Sequence, residues 1–394
     1  MNLMPVAQAQ ERILSLAAPL PQEDAPIAEC AGRWLASDVS ALRSQPWADL
    51  SAMDGYAVRA ADLPGPWRVI GESAAGGAYP PAIGAGEAVR IFTGAPLPPN
   101  GDCVVVQEDV RRDSDVATLT GDGPPSAGKH IRPAGSDFRA GQVLLAAGDL
   151  IGPAALSLAV LAGHGRLPVR RRPRIAIIST GDELVAAGAP VPPGKLPSSN
   201  AIMLRALLST LPCDVIDMGI VGDELPALTE AFTAASKADV VVTTGGASVG
   251  DHDLVRPAFA AAGGTLDFWK IAMRPGKPLI AGTNGDSVLL GLPGNPVAAF
   301  VTGMLFLMPL VRHLAGASSP FPEARTAHLG EGMPPVTVRD DYVRGRREGD
   351  TVWPLPVQDS AATRMLAMAD CLILRPANGW PVPAGESVTI IPLR

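Results

Sequence analysis

Cysteine and aromatic residues are scarce in this chain of 394 residues, and their scarcity excludes several classes of protein. The four cysteines, Cys30, Cys103, Cys213 and Cys371, lie far apart and form no CxxC pair. The sequence therefore predicts neither a disulfide framework nor a zinc site. Aromatic residues make up 4% and hydrophobic residues 47% of the chain. This balance favours cores of Ala, Val, Leu and Ile in α/β units over an aromatic-rich β-sandwich.

Excess positive charge and long apolar runs are also missing. The formal net charge of −7 argues against nucleic-acid binding, which needs a clustered basic surface. The longest apolar stretch, residues 296–311, is shorter than the about 18 residues of a membrane span, so we expect a buried helix and no membrane segment. The N-terminus lacks the pattern of a secretory signal. We therefore expect a cytoplasmic protein.

Within the first 172 residues, the sequence pattern changes from helical to β-like and back to helical. Helical patterns at residues 6–20 and 153–162 flank a segment rich in Gly, Pro and short alternating apolar runs. We expect the two helical pieces to pack together as a discontinuous helical N-terminal domain, residues 1–42 plus 142–172. The segment between them, residues 43–141, is predicted to be a β-rich insert.

The rest of the chain divides into two parts. From 173 to 315, short apolar runs alternate with amphipathic helical patterns, and Asn200 stands where a helix N-cap is expected. The pattern predicts an α/β domain built on a doubly wound, mostly parallel sheet. Residues 316–394 are Pro-rich and then β-like, which predicts a small C-terminal β-domain. The fold class is thus multidomain α/β.

Three apolar runs of the central part end in glycine-rich turns. They are RIAIISTGDEL from Arg174, DVVVTTGGASVGDHD from Asp239 and SVLLGLPGNP from Ser287. In open α/β sheets, ligands lie outside the carboxyl ends of the strands. Consecutive backbone N–H groups there form concavities that hold oxyanions. We predict one cleft for an oxyanion, a phosphorylated organic group and a metal ion.

Acidic side chains follow three of the predicted strands. Asp182 and Glu183 follow the first, Asp223 the second, and Asp251 and Asp253 the third. If the strands are parallel, these carboxylates converge, and carboxylate oxygens hold Mg²⁺ against a phosphate. The alternative is that each acid stabilises the N-terminus of the following helix.

Fixed positive charge is predicted near the same cleft. RPGKP places Arg274 and Lys277 between prolines, and Lys270 precedes them. Arginine can grip an oxyanion with two N–H groups. Gly245 and Gly246 permit close backbone approach to a ligand. A solvated basic loop is the alternative.

One rival motif points to different chemistry. Ser248 lies in Gly-Ala-Ser-Val-Gly after a strand, which fits the GxSxG nucleophile elbow of serine hydrolases. The downstream histidines include no clear triad base. Neither a P-loop nor a GxGxxG fingerprint is present.

Six strings together carry a family resemblance. They are SAMDGYAV (51–58), IFTGAP (91–96), STGDEL (179–184), TTGGASVGDHD (243–253), FWKIAMRPGKP (268–278) and GLPGNP (291–296). In this order they resemble the molybdopterin molybdenumtransferase family, MoeA and the gephyrin E-domain. The resemblance spans nearly the whole chain.

The resemblance implies the insertion of molybdate into adenylated molybdopterin, with Mg²⁺ assisting and AMP released. It also implies a homodimer whose cleft is shared between chains, with molybdopterin adenylyltransferase and molybdoenzyme chaperones as further partners. By motif position, the implied catalytic residues are Asp54, Thr93, Asp137, Glu183, Asp223 and Asp253. The implied metal ligands are Asp182, Glu183, Asp223 and Asp253. The implied cofactor-binding residues are Gly245, Gly246, Ser248, Lys270, Arg274, Lys277, Pro278, Arg344 and Ser360.

The chain departs from the family pattern at two places. IRPAGSDF keeps only Arg132 and Asp137 of a run that is often richer in arginine and acid. Ser198-Ser199-Asn200 stands where the family often has Asp-Thr-Asn or Asp-Ser-Asn. Both changes remove charge, and they favour an alternative function, a non-catalytic cofactor-binding or scaffold paralogue. A weaker alternative is a molybdopterin adenylyltransferase, whose fold the central domain alone resembles.

Overall fold

The first 172 residues form two helices, three two-stranded β-ribbons and a separate six-stranded sheet. The structure is a computed structural model that describes residues 3–246 and 254–393. Its first elements are α1 (Val6–Ser15), β1 (Gln22–Pro26), β2 (Val39–Ser40), β3 (Leu50–Ser51), β4 (Gly55–Val58), β5 (Trp67–Ser73), β6 (Glu87–Ile91), β7 (Cys103–Val106), β8 (Val110–Asp113), β9 (Val116–Leu119), β10 (Ile131–Arg132), β11 (Val143–Leu145), α2 (Pro153–Leu161) and β12 (Arg166–Arg170).

The insert is a mixed sheet with its own core. Its strand order is β7-β4-β6-β5-β9-β8. The fully buried Trp67 packs with Val58, Val105 and Ala117 on one face of this sheet. The antiparallel pairs β1–β12 and β2–β11 join the chain before the insert to the chain after it. The insert therefore projects from a stem made of both flanking segments.

The central part is a six-stranded sheet with helices on both faces. Its elements are β13 (Arg174–Thr180), β14 (Leu184–Val185), β15 (Leu196–Pro197), α3 (Asn200–Leu208), β16 (Asp214–Val221), α4 (Leu225–Ala235), β17 (Val240–Thr244), α5 (Val255–Ala261), β18 (Thr265–Trp269), β19 (Met273–Arg274), β20 (Ile280–Asn284), β21 (Ser287–Leu292), α6 (Pro296–Thr302), a π-helical turn (Gly303–Leu307) and α7 (Met308–Leu314).

The order of this sheet is β16-β13-β17-β21-β20-β18. The first four strands are parallel, and β20 and β18 are antiparallel additions. One face packs against α4 and α5, and the other against α3 and the long helix α6–α7. The predicted doubly wound, mostly parallel sheet is confirmed.

Helix α1 does not pack where the sequence predicts. Its buried residues Val6, Ala9 and Ile13 belong to the core of the central sheet, together with Phe306 and Leu310 of the long helix. By contrast, α2 buries Ala159 in a separate cluster. The expected pairing of α1 with α2 is wrong, because the apolar face of α1 packs against the long helix. Gln10 also donates to the Leu305 carbonyl at 2.9 Å.

The C-terminal part is a closed barrel beside the central sheet. The strands follow the order β23-β24-β22-β26-β25, and β25 also pairs with β23, so these five strands have no free edge. Strand β19 adds in parallel to β23 and so ties the central part to the barrel. The elements are β22 (Arg325–Leu329), β23 (Asp340–Glu348), β24 (Thr351–Pro354), α8 (Thr363–Met368), β25 (Cys371–Arg375) and β26 (Ser387–Pro392).

One helix of the described residues is long and apolar enough to cross a membrane by length and composition. It spans Pro296–Leu314, with a mean hydropathy of 1.7. In the fold, 83% of that apolar window is buried inside the protein. The segment is therefore accounted for as the core helix of the central part, as the sequence predicts.

Replacing Ile13 with alanine tests the position of α1. Ile13 is 1% exposed, so Ile13→Ala should reduce the free energy of unfolding by about 2–5 kcal/mol. The control Ile202→Ala, at a site 54% exposed, should change it by less than about 0.5 kcal/mol. Urea unfolding combined with hydrogen exchange should show the loss in the long helix, Pro296–Leu314. Faster exchange confined to β1, β12 and α2 would contradict the packing of α1 described above.

Candidate functional site

A cleft of about 760 Å³ opens at the carboxyl ends of the parallel strands. Thr180 of β13 is level with Val221 of β16, and Thr244 of β17 is level with Leu292 of β21, so the turns after these strands meet at one edge. We call this the first cavity. It is lined by Thr180, Gly181, Glu183, Leu184, Leu196, Pro197, Ser198, Ser199, Asn200, Asp223, Thr244, Gly245, Gly246, Pro278, Pro293, Gly294, Asn295, Pro296, Ala361 and Thr363.

Glycine is required at one of these turns. Gly245 has a φ of +102°, in the left-handed region that L side chains rarely adopt. A Cβ on Gly245 would overlap the Thr180 carbonyl oxygen of the neighbouring strand. The turn after β17 can therefore lie against β13 only because residue 245 has no side chain. This close approach forms the floor of the first cavity.

Asp182 and Asp223 lie opposite each other in the turns after β13 and β16, and Asp223 lines the first cavity. The Asp223 N–H donates to Asp182 Oδ1 at 3.0 Å, and the Asp182 N–H lies 3.4 Å from Asp223 Oδ2. Asp223 is exposed by area, but the cavity walls displace part of its water, and this desolvation raises its pKa. The hydrogen bond from the Asp182 N–H opposes the rise, and the charges of Asp182 and Glu183 add to it.

The acidic side chains of these turns can contribute only part of a magnesium coordination shell. Among residues 3–246 and 254–393, no three His, Cys, Asp or Glu side chains form a group that could hold a metal ion alone. Mg²⁺ commonly takes one or two protein carboxylates and fills its shell with water and substrate phosphate oxygens. Asp182 and Asp223 fit that arrangement. The predicted residues Asp251, Asp253 and Ser248 lie outside the described residues.

A second cavity of about 540 Å³ adjoins the first and carries the opposite charge. Arg274, Lys277 and Arg339 line it, and Arg274 lies 3.9 Å from Asp341. The two cavities share Pro278, Pro293 and Asn295. The structure thus brings the predicted residues Arg274, Lys277 and Pro278 beside the acidic turns. Lys270 lines neither cavity.

The barrel contributes a loop, residues 357–362, to the boundary between the cavities. Asn295 Nδ2 donates to Ser360 Oγ at 3.0 Å, and the Val297 N–H donates to the Ser360 carbonyl at 3.1 Å. Ser360 lines the second cavity, as its predicted role requires.

Arg344, a predicted cofactor-binding residue, lines neither cavity. Its side chain is buried, and its guanidinium donates to the carbonyls of Val357, Asp359 and Ala362 and to Gln358 Oε1. Burial without a carboxylate ion pair lowers its pKa. These four hydrogen bonds use four of its five N–H donors, so Arg344 fixes the loop that carries Ser360. Direct binding of a cofactor or anion by Arg344 stays a prediction.

The predicted residues of the insert form a separate group. Asp54 Oδ1 accepts hydrogen bonds from the Thr93 N–H at 2.7 Å and the Thr93 hydroxyl at 2.8 Å. These bonds, the backbone one first, lower the pKa of Asp54. Asp137 is exposed, and its N–H donates to the Gln45 carbonyl. No residue of the insert lines either cavity of the same chain among the residues described.

Several lining residues were not predicted from the sequence. Asn200 is not a helix cap, because its amide donates to the Gly294 carbonyl at 2.8 Å and Ser199 occupies the cap position. Asn295 belongs to the quoted GLPGNP string, which is the signal that could have identified it. Ala361 and Thr363 come from the barrel, and no local pattern marks them.

Three family models match successive parts of the chain, and all three describe proteins of molybdopterin metabolism or the MoeA family. Sequence profiles match residues 4–165 (MoeA N-terminal region, domain I and II), 176–313 ("Probable molybdopterin binding domain") and 326–393 (MoeA C-terminal region, domain IV). The molybdopterin molybdenumtransferase of Haemophilus influenzae is 35% identical over 400 residues, which cover 99% of this chain and 98% of that protein. That of Staphylococcus aureus strain Mu50 is 32% identical, with 99% and 96% covered.

A solved structure confirms the architecture. The molybdopterin biosynthesis MoeA protein of Pyrococcus horikoshii superposes with a TM-score of 0.87 at 30% identity, over 100% of both chains. The predicted multidomain α/β fold with its small C-terminal β-domain is therefore confirmed. By its sequence and its fold, this chain belongs to the molybdopterin molybdenumtransferase family.

Proposed function

We propose that this chain is a transferase of molybdenum cofactor biosynthesis that inserts molybdate into adenylated molybdopterin and releases AMP. The observation that carries the proposal is the contact between an acidic and a basic cavity at one edge of the sheet. The names of its relatives support the transfer of molybdenum to molybdopterin. A substrate with both a phosphoanhydride and a metal-accepting end needs two such neighbouring environments.

In this proposal the second cavity binds molybdate, and the first binds Mg²⁺ and the phosphoanhydride. Arg274 and Lys277 are placed to hold the molybdate anion, and their fixed charges stabilise negative charge that develops there. Asp182 and Asp223 would hold Mg²⁺, which supplies Lewis acidity at the phosphoanhydride oxygens. The backbone at Gly245 and Gly246 allows the phosphates to approach closely. No side-chain nucleophile is required.

The direct test of this function is a turnover assay. Purified protein with adenylated molybdopterin, Mg²⁺ and molybdate should release AMP in a molybdate-dependent manner. Tight binding of adenylated molybdopterin without AMP release would overturn the proposal and favour a scaffold paralogue. Net adenylation of molybdopterin from ATP would favour the adenylyltransferase.

We further propose a homodimer in which the insert of one chain completes the cleft of its partner. The Asp54–Thr93 pair supports this, because it is ordered by two hydrogen bonds yet lies outside both cavities of its own chain. In the preceding segment of the chain, Trp47 is 58% and Met53 41% exposed, and large exposed apolar side chains favour a protein contact.

Mixing two inactive variants tests the shared cleft. Asp54→Ala and Glu183→Ala should each abolish AMP release, while refolding them together should restore roughly a quarter of the activity, since half of the dimers are mixed and each has one intact site. Controls are the two variants assayed separately. If the mixture is as inactive as its components, the cleft is not shared.

Removing the charge of Asp223 should change stability and activity in opposite directions. Its raised pKa means that the folded state favours the protonated form, so the ionised carboxyl destabilises the fold at pH 7. Asp223→Asn should therefore raise the thermal midpoint at pH 7 and lower AMP release. The stability gain should vanish below the ordinary Asp pKa of 3.8, where both states hold the proton.

The neighbouring exposed acid Glu224 provides the control. Glu224→Gln should leave both the thermal midpoint and AMP release close to those of the wild type. A lower midpoint for Asp223→Asn at pH 7 would contradict the electrostatic account of the first cavity.

We place this protein in the cytoplasm, with a molybdopterin adenylyltransferase supplying its substrate and molybdoenzyme chaperones receiving its product. All four cysteines are unpaired, and three of them are buried, which suits a reducing compartment. The net charge of −7 supports a small-molecule substrate and not a nucleic acid.

A further inference from the structure

We propose that Asn295 is a positioning residue that orients the Ser360 hydroxyl as a hydrogen-bond donor toward an oxyanion in the second cavity. Asn295 lies in the turn after β21 and lines both cavities, whereas Ser360 comes from the barrel and lines the second. The inference rests on the proposed function, because it assumes that this cavity holds molybdate.

The hydrogen bond between these residues has a defined polarity. Asn295 Nδ2 donates to Ser360 Oγ at 3.0 Å. A serine hydroxyl has one proton to donate and two lone pairs. Because one lone pair receives the Asn295 amide, the hydroxyl proton must point away from Asn295. Among residues 3–246 and 254–393, no acceptor is recorded for that proton.

The charged residues around Ser360 can bring an anionic acceptor to its hydroxyl proton. Arg274, Lys277 and Arg339 line the same cavity with one carboxylate, Asp359, so the lining has a net positive charge that attracts an anion. An oxyanion there can accept the Ser360 proton, and a hydrogen bond to a charged acceptor is stronger than one between neutral groups. Asn295 thus selects the hydroxyl orientation that complements the cations.

The backbone of Ser360 is already fixed, so only its side-chain torsion remains to be set. The Ser360 carbonyl accepts from the Val297 N–H at 3.1 Å. Asp359 Oδ1 accepts from the Ala361 N–H at 2.7 Å, and Arg344 holds the carbonyl of Asp359 at 3.0 Å. Asn295 therefore acts on the hydroxyl and not on the loop as a whole.

A double-mutant cycle tests this role by isothermal titration with molybdate alone. Ser360→Ala should weaken molybdate binding by about tenfold to a hundredfold, the range of one hydrogen bond to a charged group, and Asn295→Ala by about threefold to tenfold, because it leaves the hydroxyl in place but unoriented. The double variant should bind no more weakly than Ser360→Ala, because the amide acts only through the hydroxyl. Thermal midpoints should stay unchanged.

The control is Asn284→Ala, which removes an asparagine amide at the opposite end of the β20–β21 hairpin, where Nδ2 donates to the Ala262 carbonyl at 3.0 Å. It should bind molybdate as the wild type does. Unchanged binding by Asn295→Ala, or effects of Asn295→Ala and Ser360→Ala that add fully, would overturn the inference while leaving the proposed function intact. Absence of saturable molybdate binding by the wild type would overturn both.

Discussion

The cleft depends on close main-chain contact between neighbouring turns at the edge of the central sheet. Residue 245 lies so near the Thr180 carbonyl that no side chain fits between them. Both Thr180 and Gly245 line the first cavity, so this contact forms part of its wall. Because β13, β16, β17 and β21 end at one level, four turns share this edge. Chemistry that needs several distant residues is thereby concentrated in one place.

The barrel completes the cleft through a small number of polar contacts. Strand β19 joins the barrel beside β23, and Arg344 holds the loop that reaches the turn after β21. Burying an arginine side chain costs free energy unless its N–H donors are hydrogen-bonded, and here four oxygens of one loop accept from four of its five donors. The loop is therefore held in place independently of any bound ligand. This rigidity suits a boundary between two cavities of opposite charge.

The fold class and half of the site could be predicted from local patterns. Short sequence patterns identify the glycine turns, the acids after β13 and β16, and the RPGKP segment. The turns and the acids meet because parallel strands end at the same edge of the sheet. Asn295 with Ser360, and Arg344 with its loop, could not be predicted in the same way. The first pair is 65 residues apart, and its contact depends on how the barrel docks. The packing of α1 was missed for the same reason, since its apolar stripe does not specify its partner.

Hydrogen exchange with and without adenylated molybdopterin is the most direct test of the central claim, that one cleft at the sheet edge binds the substrate. The claim predicts that the turns after β13, β17 and β21 become protected together when the ligand binds. Protection elsewhere in the molecule, with those three turns unchanged, would contradict it.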